Sequence, residues 1–406
     1  MNRPAVEVAD VFRRYGSDSR RALGPSLSSA QRRVMAAIEA CRSAALGGHV
    51  DICSGCGHQT ISYNSCRDRH CPKCQAAARS AWLRARQAEL LAVPYFHIVF
   101  TLPDALSHLA LANKRAVYDL LFRAASRSLL TIARDPRHLG AAIGFLAILH
   151  TWGQTLVHHP HLHCVVPAGG LSPDRKRWIA SRPRFFLPVR VLSRLFRRLF
   201  LAGLSDLHAQ GRLQWGDSSS PSDPAAHFAA FVSSLRRTEW VVYSKPPFGG
   251  PDHVLAYLGR YTHRVAISND RLVAADNGSV DFRYKDYRQP HLRKVLSLPA
   301  AEFIRRFLLH VLPRRFSKIR YFGIFANRQR AANIALCRSL LPRTTASELK
   351  APGTLEAPAS PRPADTDTVD TRRLCPLCGS AHFLRLDLPP TLGRQAAIFD
   401  CPCDSS

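Results

Sequence analysis

Two short segments of this chain carry residue types and spacings that could do chemistry. The first is His158-His159-Pro160-His161-Leu162-His163-Cys164-Val165-Val166-Pro167. In a strand, residues i and i+2 point to one face, so His161 and His163 project two imidazoles side by side. The second is Tyr257-Leu258-Gly259-Arg260-Tyr261. In a helix, residues i and i+4 share a face, so Tyr257 and Tyr261 would stack two phenols on one surface. A divalent cation held by neutral imidazoles polarises a phosphodiester oxygen. A phenol, with a pKa near ~10, is a weak nucleophile unless a metal or a cation favours the phenolate. Arg260, Arg264 and Lys245 are the candidates for that. Singly, a His-x-His pair is often incidental, and tyrosines at i,i+4 are often an aromatic stripe on a core. Together in a basic chain they point to phosphodiester cleavage with tyrosine as the nucleophile.

A second constellation is made of cysteines. Cys53-x-x-Cys56 and Cys71-x-x-Cys74 offer four soft thiolates in two knuckles, a donor set that suits tetrahedral Zn²⁺. Such a site is closed, so its role is folding and DNA contact. Cys41, His49, Cys66 and His70 lie nearby and could form a second Cys2His2 site. Near the end of the sequence, Cys375-x-x-Cys378 is a third knuckle, with Cys401 and Cys403 as a poorer partner pair. Cys164 and Cys337 stand alone and read as small buried residues.

Composition fits these readings. The formal net charge is +28, and most of the basic excess is arginine spread along the chain. Arginine stays charged and its planar fork suits phosphate, so nucleic acid is the expected partner. A membrane partner is not expected, because no apolar run approaches a span. The segment 188–204, though basic and amphipathic, reads as a core-packed helix. No apolar leader follows Met1, so the expected location is a bacterial cytoplasm, at the nucleoid. Thiols stay reduced there, and twelve cysteines then argue for metal rather than disulfides.

The elements that must position these groups can be read in outline. Residues 1–27 are polar and expected to be loosely ordered. Ser28-Ser29-Ala30-Gln31 signals the cap of a helix running to Cys41. A zinc-binding domain is expected over 28–93, ending in a helix from Ala76 to Ala92. Over 94–340 strands are expected at 96–102, 142–152 and 161–167, the last two as a hairpin. Further short strands are expected at 239–243, 265–267, 272–275 and 280–284. Helices are expected at 105–133, 188–207, 228–235 and 300–312. Residues 341–372 are rich in Pro, Ala, Thr, Ser and Asp, as a disordered linker is. Residues 373–406 form a short cysteine-bearing tail.

Several blocks together resemble the HUH-type two-tyrosine transposases of rolling-circle insertion sequences. They are Asn64–Cys74, Phe96–Pro103, His150-Thr-Trp-Gly-Gln154, the His161–His163 strand, Tyr257–Asn269 and Arg320–Arg328. They follow the family's order over about residues 30–335. The resemblance implies an α+β fold: a small zinc-binding domain, then an HUH-endonuclease domain with a central antiparallel sheet and flanking helices. It implies His161 and His163 on the central strand, holding Mg²⁺ or Mn²⁺. The third ligand would come from His97, His150, Gln154 or His159, with Gln154 favoured as close on the adjoining hairpin arm. It further implies 5′-phosphotyrosine intermediates at single-stranded element ends and target. Lys245, Arg260, Arg264, Arg320 and Arg328 are expected against DNA, and host replication machinery is a further candidate partner. The alternatives are a plasmid or phage replication initiator or relaxase using the same chemistry, and a non-catalytic zinc DNA-binding regulator.

Overall fold

The computed structural model describes residues 6–215, 223–248, 253–254, 259, 265–286, 289, 292–342 and 374–391. No helix among them is long and apolar enough to cross a membrane. The first described element is helix α1 (Val8–Leu23), within the segment where loose order was expected. Val8, Val11 and Phe12 recur at helical spacing and are fully buried, and the Phe12 ring meets Phe307 edge-on at 5.3 Å. This stripe is narrow and set among arginines, so composition alone hides it. Helix α2 (Ser29–Ala40) starts at the expected cap. Ser28 Oγ accepts from the Gln31 N–H at 3.2 Å and Gln31 Oε1 accepts from the Ser28 N–H at 2.8 Å. A hairpin of β1 (Gly48–Cys53) and β2 (Gln59–Tyr63) follows, then α3 (Pro72–Gln87). The last starts at Pro72, which is preset for a first helical turn, rather than at Ala76.

The rest of the chain is organised by one five-stranded antiparallel sheet. Its strands are β3 (Tyr95–Thr101), β4 (Gly144–Trp152), β5 (His158–Pro167), β8 (Val242–Phe248) and β12 (Ile319–Gly323). Their order is β12-β4-β5-β3-β8, so the histidine strand β5 is central. A short two-stranded ribbon, β6 (Gly169–Leu171) with β7 (Trp178–Ala180), lies just after it. Between these strands run α4 (Ser107–Ala112), α5 (Lys114–Arg134), α6 (Val189–Ala209) and α7 (Pro224–Arg237). They bury one face of the sheet. Phe96, Ile98 and Phe100 of β3, Phe145 and Leu149 of β4, and Leu162 and Val166 of β5 pack there against Leu121, Phe122, Phe196 and Phe200. Alternation then turns the odd-numbered β5 residues to the other face. Pro160, unusual in a central strand, sits at a bulge between the His150 and Trp152 pairings. Its carbonyl still accepts from the Leu102 N–H at 3.1 Å.

A second layer closes the molecule. Strands β9 (Leu272–Asp276), β10 (Ser279–Lys285) and β11 (Arg293–Pro299) form a small antiparallel sheet, followed by α8 (Ala300–Leu309). Residues 265–267, expected as a strand, are buried but not laddered. Ala266 has φ 56°, and the Ile267 N–H turns back to the Val265 carbonyl at 2.7 Å. One core joins α1 and α2 to β9, β10 and α8, so it draws on both sides of the expected boundary at residue 93. After α9 (Arg330–Leu340), the expected linker lies outside the described residues apart from Leu341 and Pro342. Strand β13 (Phe383–Leu388) then pairs antiparallel with β1. The tail is therefore the third strand of the N-terminal sheet rather than an appendage.

Two buried imidazoles fix the tip of the β4–β5 hairpin, His310 to this layer and His158 to helices α4 and α5. His310 engages Thr151 Oγ1 through Nδ1 and donates from Nε2 to the Leu156 carbonyl, each at 3.1 Å. His158 bonds Ser107 Oγ and Tyr118 Oη, both at 2.8 Å. Burial pushes each down from 6.5 to about 3. The folded protein therefore keeps them neutral while the unfolded chain protonates, so their contribution is whole above about 6.5 and is lost as pH falls toward 3. The urea midpoint should fall between pH 6.5 and pH 4 for this reason. His310→Gln, which cannot titrate, should start from a lower midpoint but lose less over that window; equal losses would remove His310 as a contributor.

Candidate functional site

The face of the central sheet opposite the helices divides into an apolar half and a histidine half. Tyr95, Leu146, Ile148 and Val165 build the apolar half, covered by Leu91, Val93, Val254 and Ile334. His97, His150, His161 and His163 build the other half. In the ladder His150 stands opposite His161 and Ile148 opposite His163. The imidazole donor atoms of His150, His161 and His163 all lie within 4.8 Å of one another. His150 and His163 are buried, His161 half-buried.

The rings are held by defined partners. His161 Nδ1 donates to the His159 carbonyl at 2.7 Å, which leaves Nε2 as its lone-pair nitrogen. His163 Nδ1 meets His97 Nε2 at 2.7 Å across parallel rings, so a cation would take His163 through Nε2. His150 stacks on Trp152 with centroids 4.4 Å apart. Burial pushes His161 down to about 4 and His97 to about 3, and holds His163 well below 6.5. The positive charge of Lys245, directly opposite His97 in the β3–β8 ladder, adds to the lowering of His97 and His163. At neutral pH these imidazoles are uncharged, the state that binds a cation.

Sequence reasoning favoured Gln154 as third donor, and the structure places it elsewhere. It lies in the turn after β4. Its carbonyl accepts from Arg271 at 2.5 Å, and its Oε1 faces the Lys285 N–H at 3.4 Å. His150, one of the alternatives, is the residue that the structure gathers with His161 and His163. The alternation Leu146, Ile148, His150, Trp152 along β4 was the signal that could have chosen it. Among the expected DNA contacts, Lys245 flanks the histidines and Arg328 is exposed after β12. Arg320 is turned to the helix face instead. It pairs with Asp119 at 2.5 Å and covers the rings of Phe122 and Phe316 at 4.1 and 4.9 Å. Packing and an ion pair thus occupy it. Tyr257, Tyr261, Arg260 and Arg264 lie outside the described residues. On either side of Tyr257, Val254 is fully buried in the apolar half of the histidine-bearing face, and Gly259 is buried close to Leu83.

The cysteines regroup relative to the expectation. Cys53 and Cys56 do not join Cys71 and Cys74. One cluster is Cys41, Cys66, Cys71 and Cys74; the other is Cys53, Cys56, Cys375 and Cys378. The reason is topological: β1 and β2 carry the first knuckle away from α3, whose start holds the last two thiols. Sulfur–sulfur separations are 3.6 Å in the first cluster and 3.5 Å in the second. A zinc–sulfur length of about 2.3 Å implies tetrahedral edges of about 3.8 Å, whereas a disulfide would bring sulfurs to about 2.05 Å. Both clusters fit a tetrahedral ion. His49 belongs to neither and lies 3.5 Å from Asp51. His70 is engaged at both nitrogens, Nδ1 to Asp68 at 2.9 Å and Nε2 to the Leu312 N–H at 3.1 Å, so it ties α3's entry to the segment after α8. Cys401 and Cys403 lie outside the described residues. Cys164 and Cys337 are buried, as expected.

Comparison with known proteins agrees with this geometry. Residues 144–332 match the family described as "Putative transposase", and residues 11–102 match a "Transposase zinc-binding domain". That second match, with the two four-cysteine clusters, supports structural Zn²⁺. The chain is 55% identical over 389 residues to "Putative transposase y4qJ" of Sinorhizobium fredii (strain NBRC 101917 / NGR234), covering 96% of each. It is 30% identical over 360 residues to "Transposase for insertion sequence element IS801" of Pseudomonas savastanoi pv. phaseolicola, covering 84% of this chain and 80% of that one. Strand order, histidine placement and these likenesses converge, and the chain belongs to the HUH-type two-tyrosine family of insertion-sequence transposases with an N-terminal zinc-binding domain.

Proposed function

We propose that this transposase nicks and rejoins single-stranded DNA at the ends of its element, with Tyr257 and Tyr261 as nucleophiles beside the His150–His161–His163 cluster. The observation that carries this reading is the cluster itself: three imidazoles from two neighbouring strands gathered on one face of the central sheet. A divalent cation bound there would neutralise charge on the scissile phosphate. The chain's own residues do the rest. His97 orients His163, and the His159 carbonyl orients His161. Lys245, at the edge of the cluster, attracts the DNA backbone. A tyrosine oxygen attacks phosphorus and gives up its proton to solvent. The bond from phosphorus to the 3′ oxygen breaks, and that oxygen takes up a proton from solvent, leaving a 5′-phosphotyrosine and a free 3′-OH. The link keeps the phosphodiester energy, so a later 3′-OH rejoins the strand without ATP. Two tyrosines permit two such exchanges, one holding donor DNA while the other attacks a second strand. Val254, buried against the same sheet face as the cluster, supports the nearness of this segment to it.

Three imidazoles favour a nitrogen-tolerant ion, so Mn²⁺ should support nicking better than Mg²⁺. His161→Ala with His163→Ala should lower nicking of a labelled single-stranded end by at least about a hundredfold, with the zinc content unchanged. Wild-type activity in that variant would end the metal reading. His97→Ala should weaken Mn²⁺ binding by about 10–100-fold, and His97→Gln by less.

Tyrosine-to-phenylalanine substitution removes only the nucleophilic oxygen. Tyr257→Phe with Tyr261→Phe should lose every covalent protein–DNA adduct on denaturing gels. Each single variant should still cleave but fail in strand transfer. An adduct in the double variant would place the nucleophile elsewhere, and normal transposition by one single variant would reduce the mechanism to one tyrosine.

A further inference from the structure

The two four-cysteine clusters differ in where their ligands come from. Cys41, Cys66, Cys71 and Cys74 are close in sequence, and three of them are buried in the core that joins α1, α2 and α8. The other cluster takes Cys53 and Cys56 from the β1–β2 hairpin and Cys375 and Cys378 from the far end of the chain. Cross-cluster sulfur pairs are Cys53–Cys378 and Cys56–Cys375, each 3.5 Å apart. Cys56 and Cys378 are exposed. We propose that the C-terminal knuckle is half of a split zinc site, so that the chain binds two Zn²⁺ and the second clasps its two ends together.

Three further observations support the clasp. The two knuckles are alike in their backbone bonds: the Gly57 N–H donates to the Cys53 carbonyl and the Gly379 N–H to the Cys375 carbonyl, each at 2.9 Å, with both glycines at φ 73°. A residue with a side chain would be strained in that left-handed turn, so each glycine closes its loop around the metal. Strand β13 continues from the knuckle and pairs with β1 over six residues, from Gly48–Leu388 to Cys53–Phe383. Arg385 of the tail donates to both oxygens of buried Asp51 on β1, at 2.7 and 3.2 Å. Strand pairing, ion pair and thiolates thus hold one register together. The exposed position of Cys56 and Cys378 makes this the zinc that leaves first. Its loss removes the thiolate link and leaves only the strand pairing and the ion pair to hold β13 on β1.

The test counts metal and follows the tail. Purified full-length protein should contain two zinc ions per chain by elemental analysis. Cys375→Ser with Cys378→Ser should contain one and still fold, since the buried cluster is untouched. Cys401→Ser with Cys403→Ser should keep two. A site-specific protease sequence placed between residues 343 and 373 provides a second measurement on otherwise native protein. After cleavage, the C-terminal fragment should co-elute with the body on gel filtration. It should separate when a zinc chelator removes the first equivalent, and at that point one zinc should remain. Loss of metal in the Cys401/Cys403 variant, two ions retained in the Cys375/Cys378 variant, or a fragment that separates at once without chelator would each overturn the clasp.

Discussion

Alternation in one strand is the constraint from which the molecule's organisation follows. Strand β5 is central, with both edges paired to β4 and β3, so its side chains can turn only to one face of the sheet or the other. Leu162, Cys164 and Val166 fill the helix-covered face. His161 and His163 are therefore forced to the opposite one. A register slip of one residue would send both imidazoles into the apolar core and leucine to the site. The β4 and β3 ladders fix that register, and they bring His150 and His97 to the same face. Burial then keeps His161 and His163 neutral, so the packing that holds the fold also prepares these donors.

Much of this was legible in the sequence, because the signals were local. The hairpin of β4 and β5, the helix α6 and the cap of α2 each follow from short-range pattern. What escaped was decided by pairing between distant segments. Gln154 is near His161 in sequence but belongs to a turn held by Arg271, the residue just before β9. The knuckle at Cys53 finds its partner more than three hundred residues away, across a stretch that no spacing rule spans. His70 sits among cysteines and looks like a ligand, yet its two nitrogens are spent on Asp68 and the Leu312 amide. Helix α1 was hidden for a different reason: its buried stripe is only a few residues wide, and its remaining positions are polar and rich in arginine.

The arginine excess has two uses. Read from composition, it signals a phosphate partner, and the family relationship agrees. In the structure, however, several guanidinium groups serve backbone carbonyls that turns and a sheet edge leave open. Arg69 donates to the Phe316 carbonyl at 2.8 Å, Arg306 to the Thr155 carbonyl at 3.0 Å, and Arg14 to that of Ala275. Arg271 does the same at Gln154. A buried carbonyl without a partner costs about 1–3 kcal/mol, and a forked cation reaches across a gap that a backbone amide cannot. Two of these four, Arg271 and Arg306, anchor the turn between β4 and β5, the turn on which the separation of His150 from His161 depends. Net charge therefore overstates the surface offered to DNA. Part of it is structural, holding in place the hairpin that carries the histidines.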